Sequence, residues 1–361
     1  MSAIREGAAS QAEIATQIGL NQATVSRVLQ PMLDSGLVRS EPMPVQGPGR
    51  PARQLRIAHE NFSTVGVHLS RFGAHVALTD IGGRRLHQSV HRIDLDSPSS
   101  TLQNVASIVR GVIASAPRPV LGVGVTCAGD VDAQEGVIRH SSSLEWRDVE
   151  VVEVLSRELG SLVVLDNIAR SLIAAEFTFG TLARGSHILV VLVAEAVECA
   201  YTLSLNGPLT QARQGDLANL VVPGLQAGTY APFGDVGVNR AFVAEARRRG
   251  LALDNILELQ RFADAGNPIA EELVGRRRQQ AVAAIRAVSD IVRPEMVFLT
   301  GLGISAPVMM DAIREDLEDR YPRDAICPTG RRGYTVESAA ACLALRHSLV
   351  TGRFTAMKEI P

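Results

Sequence analysis

Nearly all of the 36 basic residues are arginine, and lysine occurs only at Lys358. The four cysteines, Cys127, Cys199, Cys327 and Cys342, are scattered without a CxxC pair, which argues against a disulfide framework and against a cysteine-rich zinc site. No run approaches the roughly 18 apolar residues that a membrane span needs. The opening Met1-Ser-Ala-Ile-Arg-Glu-Gly7 has no apolar core or cleavage site, so no signal peptide is visible and a reduced, cytoplasmic protein is expected. An excess of either charge is also missing. Lys and Arg total 36 against 38 Asp and Glu, so no global field draws the chain to nucleic acid or membrane, and any polyanion site must be local. What is present is a 361-residue chain, 46% hydrophobic and 20% charged, enough for two or three globular domains.

The first sixty residues read differently from the rest. Ser10-Gln-Ala-Glu13 fits a capping box, and a short helix follows to about Ile18. Gly19-Leu-Asn21 breaks it, with Gly19 supplying the turn and Asn21 the next N-cap. The second helix carries Val25, Val28, Leu29 and Met32, a stripe expected to face a core. Its opposite face is Ala23, Ser26, Arg27 and Gln30, flanked by Gln22 and Thr24. Small polar residues with one arginine suit a helix lying in a major groove. Ahead of this pair, an initial helix can span Ala3 to Glu6 at most, a length that leaves room for further residues before Met1.

Two short strands, Gly36–Arg39 and Gln54–Ile57, flank a Gly/Pro-rich loop at 42–51, which reads as a wing. Gly49-Arg50-Pro51 is slim and extended, so Arg50 can reach a narrow minor groove. Arg39, Arg50, Arg53 and Arg56 against Glu41 give this stretch the module's only clear basic bias. Cap, turn, stripe, wing and arginine loop occur in the order DNA binding requires.

Beyond residue 61, apolar β-rich runs alternate with helical stretches in an α/β pattern. The runs are Thr64–Leu69, Ala74–Thr79, Leu121–Thr126, Leu162–Leu165, Ile188–Val193 and Met296–Thr300; the helices include Leu102–Ala114 and Ala270–Val292.

Several segments resemble the ROK family of repressors and sugar kinases, in particular its N-acetylglucosamine and xylose repressor type. They are Ala9–Arg27 with Gly36-Leu-Val38, the Gly49-Arg-Pro51 wing, Val65-Gly-Val-His-Leu69, Gly122–Asp132, Leu165-Asp-Asn167 with Ala174-Ala-Glu176, and Arg293–Gly301. Each motif is degenerate, and their order and spacing over essentially the whole chain carry the likeness. The resemblance implies a winged helix-turn-helix at 1–60. It implies a two-lobed, actin-like and ribonuclease-H-like sugar-kinase fold at 61–361 that binds effector and dimerises.

A kinase of this fold needs a glycine turn with an Asp to hold Mg·ATP phosphates, and a carboxylate base. The family's Asp-x-Gly-Gly-Thr turn aligns with His68-Leu-Ser-Arg-Phe72, where the Asp is gone and bulky side chains crowd the turn. Asp80-Ile-Gly-Gly83 spells similar letters after the second strand and reads as a hairpin turn. Counting back from Glu176, the catalytic Asp position holds Ile168, which accepts no proton. The Thr-Gly-x-Gly phosphate turn is replaced by Ala194–Ala200, which contains no glycine. No catalytic residue and no cofactor are therefore expected. The family's zinc ligands are replaced by Asn219, Ala231, Phe233 and Val238, so no metal is expected either. His87 and His91 read as solvated surface.

A sugar-sized effector pocket can survive this loss. The resemblance carries family sugar contacts onto Gly129, Asn167, Asp216 (for Glu) and Asn219 (for His), with Ser143 where Asn is usual. The alternative is that these residues satisfy buried backbone. Arg247–Arg249 and Arg276–Arg278 read as solvated helix faces and Trp146 as a packing anchor. The expected protein is a repressor of carbohydrate genes. As a homodimer or dimer of dimers it would bind a double-stranded operator through Gln22, Ala23, Thr24, Ser26, Arg27, Gln30 and Arg50. An active sugar kinase with a fused DNA-binding module and an effector-independent DNA binder are the competing readings.

Overall fold

Ser10 and Glu13 cap each other as the sequence predicts, each side chain accepting the other's amide at 3.2 Å. This opens α2 (Gln11–Ile18), which follows a single turn α1 (Ser2–Arg5). Gly19 closes α2 in the left-handed conformation, with φ of 67°. Asn21 then accepts the Thr24 amide at 2.8 Å and starts α3 (Gln22–Asp34). The computed structural model describes residues 2–5, 10–42, 53–180, 182, 186–202, 212–330 and 333–354.

Val25, Leu29 and Met32 of α3 are buried against the module's core with Ile14, Leu37 and Leu55. Val28 departs from the expected stripe and is 56% exposed. At 100° per residue it lies about 60° round the helix from Val25, outside the arc that α2 and the wing cover. The strands β1 (Val38–Pro42) and β2 (Arg53–Ile57) pair antiparallel from Val38↔Ile57 to Pro42↔Arg53. Their connecting loop, with Arg50 and the Gly49-Arg-Pro51 segment, lies outside the described residues. Asn61 anchors the module's exit by donating to the Gly36 carbonyl at 2.7 Å and accepting from Arg39 at 2.8 Å.

The rest of the chain builds two five-stranded sheets on one plan. In the first, β3 (Ser63–Ser70), β4 (Gly73–Asp80) and β5 (Arg85–His91) form an antiparallel meander. After α4 (Pro98–Ala114), β6 (Val120–Cys127) adds parallel to β3. A small sheet of β7 (Asp130–Asp132), β8 (Val137–Ser141) and β9 (Trp146–Glu150) leads to α5 (Val151–Leu159). Then β10 (Val163–Asn167) adds parallel to β6, giving the order β10-β6-β3-β4-β5.

Helix α6 (Ile168–Phe179) leads to the second sheet, where β11 (Ile188–Val193), β12 (Val197–Tyr201) and β13 (Arg213–Asp216) repeat the meander. The hairpin β14 (Val221–Pro223) and β15 (Tyr230–Pro232) precedes α7 (Phe233–Val236), α8 (Asn239–Arg248), α9 (Ile256–Asp264) and the long α10 (Pro268–Val292). Parallel strands β16 (Met296–Thr300) and β17 (Ile326–Pro328), separated by α11 (Pro307–Asp316), complete the order β13-β12-β11-β16-β17. Both sheets thus carry a meander followed by two parallel strands. Every β-rich run and both helices expected beyond residue 61 coincide with these elements, except that Leu162 precedes β10.

The last helix, α12 (Val336–Thr351), returns to the first sheet and is buried over most of its length. Its alanines let it lie close to β3 and β6. A Cβ on Gly66 would run into the Glu337 carbonyl oxygen, and one on Gly124 into that of Ala340. Two of the glycines in the sequence motifs are therefore helix-docking positions. Trp146 is a buried anchor as expected, its indole N–H donating to the Leu95 carbonyl at 2.9 Å.

Candidate DNA interface and interlobe junction

Helix α3 presents Gln22, Ala23, Arg27 and Gln30 to solvent, with Thr24 and Ser26 half-buried beside them. Gln30 is engaged with Asp34 at 2.6 Å. Arg27 is exposed and has no hydrogen-bond or ion-pair partner among the described residues. The wing cations are less free. Arg39 pairs with Glu60 at 2.6 Å, Arg56 with Glu41 at 3.3 Å, and Arg53 bonds Ser40. Such exposed pairs are weak, so a phosphate can compete for these guanidinium groups. Exposed Val28 adds an apolar contact at the edge of this face, which the stripe pattern concealed.

The structure brings together two of the four residues expected to bind effector. Asn167 ends β10 and caps α6, its side-chain oxygen accepting from the amides of Ala169 at 2.8 Å and Arg170 at 3.4 Å. Its amide nitrogen donates to the Gly129 carbonyl and to Glu198 Oε2, both at 2.9 Å. Glu198, on β12 of the second lobe, also accepts the Gly129 amide through Oε1. Gln214 of β13 donates to the Gly129 carbonyl at 2.7 Å. Gly129 and Asn167 thus have their polar groups engaged, in part by Glu198 and Gln214 of the opposite lobe.

Burial pushes the Glu198 carboxyl up to about 7, against the pull of the Asn167 and Gly129 bonds. Asp216 stands opposite Glu198 in the strand pairing but is exposed, its carboxylate accepting the Ala218 amide at 2.7 Å. Asn219 is exposed as well, and Ser143 is half-buried with its hydroxyl 3.2 Å from that of Ser141. Sequence reasoning passed over Glu198 because it lies in a segment noted only for the glycines it lacks. A cavity of about 490 Å³ lies elsewhere, lined by His59, Gly82–Arg85, Phe179, Gly333 and Tyr334. None of the four expected effector residues lines it.

The segments that resemble kinase motifs form the following contacts. His68 bonds Thr126 at 3.1 Å, and burial, helped by neighbouring His75, lowers its pKa to about 4, so it is neutral. The Ser70 hydroxyl accepts the Phe72 amide at 3.2 Å, closing the turn on itself. Asp80-Ile-Gly-Gly83 is the expected hairpin turn, with Asp80 Oδ1 accepting from Gly82 and Arg84, each at 2.9 Å. Ile168 is buried at the start of α6.

Arg277 corrects the reading of its triplet. The flanking arginines do face acids or solvent, Arg278 meeting Asp316 at 3.0 Å, but Arg277 itself is buried. Lying between the ends of β11 and β16, its guanidinium donates to the carbonyls of Val193 at 3.2 Å and Leu302 at 2.9 Å, and to Asn239 at 2.7 Å. Burial lowers its pKa to about 10. Arg247, Arg248 and Arg249 pair with Asp254, Glu245 and Glu272.

The family's zinc site does not fit these residues. Phe233 and Val238 are core side chains packed with Leu217 and Val222, and Ala231 and Asn219 offer no soft ligand. Among the described residues no three His, Cys, Asp or Glu side chains converge as a metal site. Among them, too, no helix is long and apolar enough to cross a membrane.

Comparison with known proteins agrees with this architecture. The MarR family model matches residues 3–45, which include α2, α3 and β1. A transcriptional regulator of Mycobacterium tuberculosis is 29% identical over 308 residues, covering 80% of this chain and 70% of that protein. The N-acetylglucosamine repressor of Escherichia coli O157:H7 is 25% identical over 181 residues, covering 48% of this chain and 44% of that one. A crystal structure of a ROK family transcriptional regulator, a homologue of the E. coli Mlc protein, superposes with a TM-score of 0.73 at 17% identity, over 97% of both chains. These findings give the chain a MarR-type winged helix-turn-helix followed by a two-lobed fold like that of ROK-family proteins, in a chain similar over most of its length to a transcriptional regulator.

Proposed function

We propose that the chain is a cytoplasmic, homodimeric repressor of carbohydrate genes, built from a DNA-binding unit at 1–60 and an effector-binding, dimerising unit at 61–361. The observation that carries this reading is α3. The N-caps of α2 and α3 are made, Val25, Leu29 and Met32 are buried, and the outer face holds small polar residues around Arg27, which has no partner among the described residues. Gln22, Ala23, Thr24, Ser26, Arg27 and Gln30 would meet base edges in the major groove, and Arg50 the minor groove. Paired in a dimer, two such helices would read an inverted repeat. A sugar-like effector, as the name of the E. coli N-acetylglucosamine repressor suggests, would change their spacing only if it prefers one arrangement of the lobes.

The same reading makes the kinase-like domain non-catalytic. Ile168 stands where the base is needed, and Arg277 fills the space between the β11 and β16 ends with a buried cation. Specific, Mg-dependent phosphorylation of a sugar by the purified chain would overturn this part.

Selection of genomic fragments at about 0.15 M salt, where phosphate-only binding is weakened, tests the DNA-binding part. Wild-type protein should enrich a shared inverted repeat, and Arg27→Ala should lose or relax it by about 1–3 kcal/mol per half-site. Equal enrichment by both proteins would remove α3 from the interface. The spent hydrogen bonds of Gly129 and Asn167 favour a second reading, in which the chain binds DNA without a sugar effector. Thermal shift with N-acetylglucosamine and xylose separates the two. A ligand at 100 times its Kd stabilises the fold by about 2.7 kcal/mol, and a flat response to both sugars supports the second.

A further inference from the structure

At the interlobe junction, two donors are fixed on a single planar group. One is the Gly129 backbone amide, held by the chain between β6 and β7; the other is Asn167 Nδ2. Asn167 cannot turn its oxygen toward Glu198, because that oxygen caps the Ala169 and Arg170 amides. The Glu198 carboxyl meets the two donors with one oxygen each, whereas a primary amide would set its own N–H₂ against one of them. Arg170 lies close enough to favour negative charge there, though its guanidinium is itself bonded to Asp166 at 2.5 Å. Glu198 is 5% exposed, so this arrangement is built into the interior and is no surface contact.

We infer that Gly129 N–H and Asn167 Nδ2 form a carboxylate-binding site, which the chain fills with Glu198 from its own second lobe. Glu198 acts there as a tethered ligand that, with Gln214, ties the two lobes together before any small molecule binds. A small molecule that takes over the two donors must displace Glu198 from both, so its binding would release this tie between the lobes.

Hydrogen exchange on the full-length chain, with neither DNA nor sugar present, tests the site directly. In Glu198→Ala the Gly129 amide should exchange about tenfold faster or more, the loss of one charge-assisted hydrogen bond, while β4 and β16 keep their protection. Formate or acetate should restore the protection by entering the vacated space, and chloride at the same ionic strength should not. Glu198→Gln, of equal size, should accelerate the same amide without rescue by formate. It also carries the test if the alanine variant loses protection throughout. Unchanged Gly129 exchange in Glu198→Gln, or restoration of Glu198→Ala by chloride as well as by formate, would overturn the assignment. Because no DNA takes part, loss of operator selection would leave this result standing, and the reverse holds too.

Discussion

Raising the pH should weaken the folded chain through Glu198, and the direction follows from its burial. An exposed glutamate in the unfolded chain titrates near 4.5, while the buried carboxyl is pushed up to about 7. The folded state therefore binds more protons than the unfolded state across that window. Stability contributed by protonated Glu198 is fully present below about 4.5 and is lost as the pH rises through about 7. The shift corresponds to about 3 kcal/mol between the two ends. Asp216 across the strand adds to the effect, while Arg170 and the bonds from Asn167 and Gly129 oppose it. Urea unfolding of wild type and Glu198→Gln should be compared at intervals from about pH 4 to about pH 8, because the glutamine has no proton to release and the difference cancels the other titrating groups. Wild-type stability relative to the variant should fall by about 3 kcal/mol on going up in pH. A flat difference would place Glu198 in water, and a difference rising with pH would mean that Arg170 wins over burial; either refutes the reasoning.

Two further substitutions probe the frame around this junction. Gly66→Ala puts a methyl group into the Glu337 carbonyl of α12, so it should cost about 1–3 kcal/mol or more and lower the thermal midpoint of the first lobe; an unchanged midpoint would show that α12 does not dock as described. Ile168→Asp replaces a fully buried side chain by a carboxyl at the family's catalytic position, and should lose about 3 kcal/mol or more of stability without yielding ADP in the presence of ATP, magnesium and glucose. Sugar-dependent ADP release by this variant would show that the rest of the phosphate site is intact.

The sequence was most legible where local rules decide the outcome. The Ser10–Glu13 box, the Gly19 stop and the Asn21 cap depend on residues within one turn, and all three form as read. The Asp80 turn was likewise settled by its place after the second strand. Val28 was misread because a helical stripe gives only a direction, whereas the width of the buried arc depends on which elements pack against it. Arg277 was misread for a related reason. Its neighbours do face acids or solvent, and nothing in the triplet marks the middle residue as the one turned inward, towards the ends of β11 and β16. Glu198 was invisible because its partners, Gly129, Asn167 and Gln214, stand up to 69 residues away along the chain.

Several polar groups of the two lobes share one feature, in that each is met from within the chain. A nucleotide and sugar cleft keeps its donors and acceptors unsatisfied until ligand arrives, and that openness costs stability in the free protein. Here the donors of Gly129 and Asn167 are met by Glu198, the carbonyls of Val193 and Leu302 by Arg277, and the Phe72 amide by Ser70. Phe233 and Val238 fill with apolar contact what a metal cluster would otherwise hold together. Two of these partners are charges that burial opposes, since Glu198 is driven toward its neutral form and Arg277 is lowered from its usual range. Apolar residues of similar size would relieve that cost but would leave the facing amides and carbonyls unpaired. Of the two, only Glu198 bridges the lobes, since the Arg277 partners Val193, Asn239 and Leu302 all belong to the second lobe. When water reaches the junction it can take back the Glu198 charge, which distinguishes this contact from the close backbone docking of α12 on β3 and β6.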